Sequence, residues 1–221
     1  MNIKERTIGI IGAKRSGKTY FSSRLAEYLG ENCIIFNTIG AMDVNNAIQY
    51  KIERKNLEKQ AVIFGTLIAE KSKRKHTKSI SVSLVELTRD EIIEFTDVAL
   101  TIPERIENRY IIVDEVSDYL SQIYSQSREM ERLIRHGGNF GNTFIFNTQR
   151  PAYLNKNTFN LIDILIVFRV NWTRDLAVIR EMLSQGGIPE EQIKEEIKII
   201  TQLPVGYYRP YLLYLTRPDQ R

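Results

Sequence analysis

The chain has 221 residues, of which 43% are hydrophobic and 26% charged, and its formal net charge is +4. These proportions are typical of a globular protein, and the length suits a single domain over residues 1–221. One cysteine and two histidines are too few for an internal disulfide or a structural zinc site, and the longest apolar stretch, 161–168, is too short to span a membrane. We therefore expect a protein of the reducing cytoplasm.

The first motif is a glycine loop between a predicted strand and a predicted helix. Residues 12–19 read GAKRSGKT, which matches the P-loop pattern G-x-x-x-x-G-K-[ST]. The apolar run 7–11 predicts a buried strand, and apolar residues at every fourth position of 20–29 predict a helix that ends at Gly30. A glycine turn that binds nothing is the alternative, and the two flanking elements disfavour it.

This glycine loop predicts binding of ATP and Mg²⁺. Inward-pointing backbone N–H groups and a helix N-terminus form an anion site. Lys18 would reach the β- and γ-phosphates, and the Thr19 hydroxyl would ligate Mg²⁺. The expected nucleotide-binding residues are Gly12, Ala13, Lys14, Arg15, Ser16, Gly17, Lys18, Thr19 and Tyr20.

Strands and helices are predicted to alternate after the first helix. We expect a strand over 33–36, a helix over 53–72 and a half-buried strand over 79–87. Thr88 and Glu91 then fit a capping box, which predicts that a further helix begins there.

A basic segment over 71–78 contains five Lys or Arg residues and no acid. We assign phosphate contacts to Lys73, Arg74 and Lys75, with a solvated helix end as the alternative. The segment has no aromatic residue, so base stacking is not expected there.

The second motif is an apolar strand, 110–113, that ends in two acids. An apolar strand followed by Asp-Glu, downstream of a P-loop, is the Walker B pattern. Asp114 would hold Mg²⁺, and Glu115 would orient and deprotonate the attacking water. The alternative is an ordinary strand followed by a helix N-cap.

A polar strand end is expected in the second half of the chain. Residues 116–136 are predicted to form a helix that stops at Gly137. The next strand, 143–146, is followed by a polar stretch. If this strand lies between the two motif strands, Gln149 can sense the γ-phosphate.

The remaining predicted elements are a strand over 161–170, helices over 172–183 and 189–200, and an edge strand over 205–215. Edge packing is assigned to the tyrosines of that edge strand, with a base-stacking platform as the alternative; they are Tyr207, Tyr208, Tyr211 and Tyr214.

Residues 135–141, the following apolar strand and residues 148–151 resemble the signature of the FtsK/HerA superfamily. The closest resemblance is to the short genome-packaging ATPases of membrane-containing icosahedral viruses, archaeal ones in particular. It covers about residues 7–183. The resemblance implies an α/β P-loop NTPase fold of three layers, with a mostly parallel central sheet and helices on both faces.

The resemblance also implies a ring that pumps double-stranded DNA. We expect a hexamer or pentamer that acts in the host cytoplasm or on the virion, with viral capsid or membrane proteins as partners. Arg135 would complete the site of a neighbouring subunit, with Arg128, Arg132 and Arg150 as substitutes. The alternative is that Arg135 caps helix carbonyls or pairs with a surface acid. Other functions left open are another DNA-processing ATPase, a small-molecule kinase, a GTP-binding switch and a noncatalytic scaffold. A guanine-reading Asn-Lys-x-Asp motif is absent from the sequence, which disfavours the switch.

Overall fold

One eight-stranded sheet organises the computed structural model, which describes residues 3–213. The strands run in the spatial order β3-β4-β2-β5-β6-β1-β7-β8, and all pairs are parallel except β7 with β8. In chain order they are β1 (Thr7–Ile11), β2 (Cys33–Asn37), β3 (Ile48–Lys51), β4 (Ile80–Ser83), β5 (Tyr110–Val113), β6 (Thr143–Thr148), β7 (Ile164–Phe168) and β8 (Tyr208–Leu212).

Seven α-helices connect and cover these strands over the described residues. The capping box that the sequence predicts is present: the Thr88 side chain accepts from Glu91 N, and the Glu91 side chain accepts from Thr88 N. The helices are α1 (Lys18–Leu29), α2 (Leu57–Ser72), α3 (Arg89–Thr101), α4 (Arg128–His136), α5 (Lys156–Phe159), α6 (Thr173–Gln185) and α7 (Glu190–Gln202).

The helices are divided unequally between the two faces of the sheet. Successive strand residues point to opposite faces, so Ile111 and Ile112 belong to different hydrophobic clusters. In the larger cluster, five helices pack against one face of the sheet: α2, α3, α4, α6 and α7. The smaller one packs α1 and the apolar residues of segment 42–47 on the other. The predicted fold class, a three-layer α/β fold with a mostly parallel sheet, is therefore confirmed.

The predicted helix over 116–136 is wrong in its first half. Glu115 has a positive φ of 51°, and only a single 3₁₀ turn, Val116–Asp118, follows it. The chain then forms a loop until Ser127, whose side chain accepts from Met130 N and caps α4. Serines compete with helix formation by bonding to nearby backbone, and Ser127 does so here.

Smaller differences occur at the edges of the sheet. The sequence patterns do not predict β3, because it is short and most of its residues are exposed. The edge strand predicted over 205–215 is confirmed as β8, although its last two residues lie outside the described part of the chain. Between residues 3 and 213, no helix combines the length and hydrophobicity that a bilayer crossing requires.

Candidate active site

Strand register brings the two sequence motifs together at the carboxyl edge of the sheet. β6 lies between β1 and β5, as predicted. Ile11 pairs with Thr148 and Val113 pairs with Phe146, so the residues that follow β1 and β5 lie on either side of the end of β6. The glycine loop and the Asp114–Glu115 pair therefore face one cleft, which is where parallel α/β sheets bind ligands.

The glycine loop needs its glycines for two different reasons. A Cβ on Gly12 would lie 2.6 Å from the Phe168 Cβ and 2.7 Å from the Ser16 Oγ, so there is no room for a side chain. Gly17 has a φ of 109°, which a residue with a side chain rarely adopts. Helix α1 begins directly after Gly17, and the N-terminal end of a helix favours anions.

Lys18 is buried at the base of this loop. Its Nζ donates to the Ala13 carbonyl over 2.9 Å. Burial lowers the pKa of Lys18 to about 8, an effect that the charges of Glu115 and Asp114 oppose. Of the other predicted binding residues, Thr19 is half-buried, whereas Lys14, Arg15 and Tyr20 are exposed.

Asp114 is held at the edge of the sheet by a chain of side-chain hydrogen bonds. Ser22 of α1 donates to Asn147 Oδ1 over 2.7 Å, and Asn147 Nδ2 donates to Asp114 Oδ1 over 3.1 Å. Burial raises the pKa of Asp114, and the bond from Asn147 opposes that rise. The second carboxylate oxygen, Oδ2, is buried without a hydrogen-bond partner.

The donors at this edge fit a magnesium ion. Mg²⁺ prefers oxygen ligands and is usually held by one or two protein groups together with substrate phosphates and water. The unpartnered Oδ2 of Asp114 is such a ligand, and a buried polar atom without a partner is costly unless something binds it. Thr19, which is half-buried at the start of α1, carries a hydroxyl that could supply a second oxygen ligand.

Glu115 is restrained more closely than any other acid of the site. Its Oε1 accepts from Ser117 Oγ over 2.7 Å and from Thr148 Oγ1 over 3.0 Å. The backbone N–H of Gln149 donates to both carboxylate oxygens at 3.2 Å. With its left-handed backbone, Glu115 is thus turned from the end of β5 towards the end of β6.

Gln149 lies beside the glycine loop. Together with Ala13, Lys14 and Trp172 it lines a cavity of about 580 Å³. Arg150 stacks on the Trp172 ring at 4.1 Å along this cavity. The proximity to the loop agrees with the predicted sensor position, and the sensor role stays a prediction.

Asp118 is a third acid near the site that the motifs do not include. Burial, followed by the charge of Glu115, raises the pKa of Asp118 to about 6. Arg89, in the first turn of α3, donates to the carbonyls of Asp118, Ser117 and Ser125 at 3.2–3.4 Å. Arg89 therefore fixes the loop that follows Glu115.

The remaining predicted residues lie away from the cleft. Lys73, Arg74 and Lys75 are exposed between the end of α2 and the start of β4, which is the amino edge of the sheet. Arg135 is exposed near the end of α4 and forms an ion pair of 2.6 Å with Glu131 on the same helix. The structure therefore does not bring these four residues to the glycine loop of their own chain.

The residues that support the two acids are not predicted from the sequence. Asn147 and Thr148 directly precede Gln149, so the polar end of β6 is the signal that could have found them. Ser22 and Ser117 have no such signal, because a serine one turn into a helix or two residues after an acid is common.

No protein-family model matches the chain, and no curated protein is detectably similar in sequence. Among solved structures, the genome packaging NTPase B204 from Sulfolobus turreted icosahedral virus 2, in complex with ATP-gammaS, matches with a TM-score of 0.65 at 15% identity; the match covers 98% of this chain and 95% of that chain. The DNA-packaging ATPase B204 from Sulfolobus Turreted Icosahedral Virus gives 0.59 at 14% identity, covering 97% and 96%. At such identity the likeness shows the fold, and at that level the predicted resemblance is confirmed.

Proposed function

We propose that this chain is a Mg²⁺-dependent ATPase that drives translocation of double-stranded DNA, in the packaging of a viral genome. The observation that carries the proposal is the convergence of a buried lysine in a glycine loop with two adjacent, differently held carboxylates across the end of β6. Phosphoryl transfer depends mainly on positioning and on charge stabilisation, and this cleft offers both.

The residues divide the chemistry between them. The glycine loop and Lys18 bind the phosphates of ATP. Thr19 and Asp114 hold the magnesium ion, which neutralises charge on the phosphates when bound. Glu115 orients the attacking water and accepts its proton, and Gln149 senses the γ-phosphate. Hydrolysis is favoured over transfer to a second substrate because a carboxylate stands one residue beyond the metal ligand.

The proposed DNA substrate and the proposed ring are supported by observations other than the geometry of the cleft. Solved structures of a viral genome-packaging enzyme share this fold over nearly the whole chain. The exposed basic residues 73–75 offer a surface that neutralises DNA phosphates. Self-association into a hexameric or pentameric ring, contacts with capsid or membrane proteins, and action in the host cytoplasm or on the virion are parts of the same proposal.

The chemistry is tested by separating binding from turnover. Lys18→Ala should abolish nucleotide binding, whereas Glu115→Gln should bind ATP with little change and hydrolyse it at least ~100-fold more slowly. Binding is measured by calorimetry and turnover by phosphate release, without any acceptor molecule. Wild-type turnover by Glu115→Gln would remove Glu115 from the reaction. Formation of ADP only in the presence of a small-molecule acceptor, with the phosphoryl group carried by that acceptor and no free phosphate released, would instead favour the kinase alternative.

The DNA surface is tested by the salt dependence of binding. Alanine at Lys73, Arg74 and Lys75 together should weaken double-stranded DNA binding and lower the slope of log affinity against log salt by roughly 0.9 for each DNA phosphate that is no longer neutralised. A control removes the same charge from exposed lysines elsewhere, with alanine at Lys55, Lys59 and Lys198. If the slope of log affinity against log salt is the same for both variants, residues 73–75 are a solvated surface that does not contact DNA.

A further inference from the structure

A tight turn late in the chain is fastened to the glycine loop. Residues 204–207 form a β-turn closed by a 3.2 Å hydrogen bond from Tyr207 N to the Pro204 carbonyl. Gly206, with a φ of 85°, donates its backbone N–H to the Ser16 carbonyl over 2.9 Å. A Cβ on Gly17 would lie 3.1 Å from Gly206 Cα, so the two backbones are in contact.

This turn displays apolar side chains where burial would be expected. Val205 is 61% exposed and Tyr207 is 65% exposed, although both flank a glycine whose backbone packs on the loop. Tyr208, the next residue, is anchored instead, because its ring packs on Phe21 of α1 at 5.0 Å. The turn is therefore held firmly on both sides while its two apolar side chains are left uncovered.

The two sides of the glycine loop have opposite chemistry. On the β5–β6 side lie the carboxylates of Asp114 and Glu115, which suit a metal ion that binds the phosphate chain. On the β7–β8 side lies the apolar turn, since β8 begins directly after it and pairs with β7. A nucleotide has the same division, with a charged phosphate end and a flat base.

We propose that Tyr207 and Val205 form the surface on which the nucleobase stacks. This inference rests on the proposed nucleotide site and deepens it by naming how the base is bound. The face of the Tyr207 ring and the aliphatic Val205 side chain contact the flat surface of the base. Neither side chain reads its hydrogen-bonding edge, and stacking of this kind tolerates any base. The surface therefore favours a nucleotide over a bare phosphate chain and accepts adenine and guanine alike.

The test compares ligands that differ only in the base. Dissociation constants for ADP, GDP and pyrophosphate, each with Mg²⁺, are measured by displacement of ADP carrying a fluorescent group on the ribose. Tyr207→Ala should raise the dissociation constants for ADP and GDP by about tenfold or more, because one aromatic stacking partner is removed. The dissociation constant for pyrophosphate should stay within about twofold of the wild-type value. Tyr207→Phe should restore the affinities for ADP and GDP. Tyr28→Ala removes an exposed tyrosine at the far end of α1 and should change none of the three.

Several outcomes would overturn the assignment. Unchanged ADP affinity in Tyr207→Ala would show that the base lies elsewhere. An equal loss for pyrophosphate would show that the variant disturbs the glycine loop, and a loss confined to ADP or to GDP would contradict stacking as the mode of recognition. Failure of the wild-type protein to bind any of the ligands would overturn the nucleotide site itself, and with it this surface.

Discussion

Glu115 combines a left-handed backbone with a carboxylate that accepts hydrogen bonds on both oxygens. A non-glycine residue at positive φ is costly, and such strain persists where the surroundings determine it. Here the surroundings are Ser117 and the end of β6. The side chain that would activate water is thus fixed before any nucleotide arrives, which saves the entropy of orienting it during the reaction.

Thr148 is therefore a positioning residue for Glu115. Thr148→Val keeps the branched shape at a fully buried strand end and removes one of the hydrogen bonds to Oε1. We expect kcat to fall by about 10- to 100-fold, because small misplacements of a reacting group cost that much. The affinity for ADP should not change. Thr148→Ser restores the hydroxyl and should recover most of kcat.

A merely structural role for Thr148 would give a different result. In that case Thr148→Val and Thr148→Ser would lower the thermal stability together, and kcat would follow the folded fraction. Steady-state kinetics and thermal melts on both variants separate the two possibilities.

At the site, the residues that the sequence predicts are those whose chemistry is tied to a short local pattern. The glycine loop and Asp114–Glu115 are of this kind, because each is read from consecutive residues. The support of Asp114 by Asn147 depends on the register between β5 and β6, which joins residues 33 positions apart. The turn at 204–207 meets the loop from almost the other end of the chain. No local pattern contains such pairings.

At the scale of elements, the sequence predicts long segments with periodic apolar residues well. It does not predict unusual backbone conformations. α2 and α3 follow from their apolar spacing and from the capping box at Thr88. The sequence pattern predicts a helix where the loop between Glu115 and Ser127 lies, because the feature that prevents a helix there is the left-handed conformation of Glu115. That conformation depends on tertiary hydrogen bonds, which a propensity argument does not include.

The antiparallel edge strand β8 is fastened to α7 by one charged group. The buried Glu196 carboxylate accepts from Arg209 Nε and Nη2 at 2.9 and 2.6 Å and from the Tyr211 hydroxyl at 2.6 Å. Mainly through the bond from Arg209, the pKa of Glu196 lies below its ordinary value of 4.5. A lowered carboxyl pKa contributes stability that is present above the unfolded-state pKa and is lost as the pH falls through the folded-state pKa.

Glu196→Gln should therefore lower the free energy of unfolding at pH 7 by about 1–2 kcal/mol, since it replaces charge-assisted hydrogen bonds with neutral ones. The difference from wild type should shrink as the pH is lowered below 4.5. Urea unfolding over this pH range is the measurement. Glu195→Gln, at an exposed neighbour on the same helix, should have little effect. If the difference in the free energy of unfolding stays constant with pH, the loss of stability in Glu196→Gln comes from packing and not from the charge of Glu196.

At the scale of the whole molecule, the two ends of the sheet carry different surfaces. The carboxyl edge carries the glycine loop and the acids. The amino edge carries the basic residues 73–75, held by Arg109, which donates to the carbonyls of Lys71 and Arg74. Five-residue strands separate the two edges by roughly 17 Å. If a subunit hydrolyses ATP at one edge and holds DNA at the other, a conformational change must pass between the edges. It can pass through the sheet or through a neighbouring subunit.

Arg135 is on the amino-edge side of this division. It lies two residues before Gly137, whose carbonyl accepts from Asn142 N next to the beginning of β6. The glycine loop of the same chain lies beyond the other end of β6. The partner of Arg135 within its own chain is Glu131. Exposed ion pairs of this kind contribute little to stability, so Arg135 can exchange Glu131 for another partner at little cost. In a ring, we expect Arg135 to be presented to the nucleotide of the neighbouring subunit.

An arginine supplied by a neighbour can raise the rate by about 10³- to 10⁵-fold, because it stabilises charge on the transferring phosphoryl group. Arg135→Ala and Lys18→Ala subunits should therefore each be inactive alone. Mixed together they should recover part of the ATPase activity, since the arginine of a Lys18→Ala subunit can complete the intact glycine loop of an Arg135→Ala neighbour. Arg180→Ala, which breaks a comparable exposed pair with Glu190, should stay active alone. If mixed rings form, as shown by co-purification of differently tagged subunits, and remain inactive, Arg135 does not act on its neighbour.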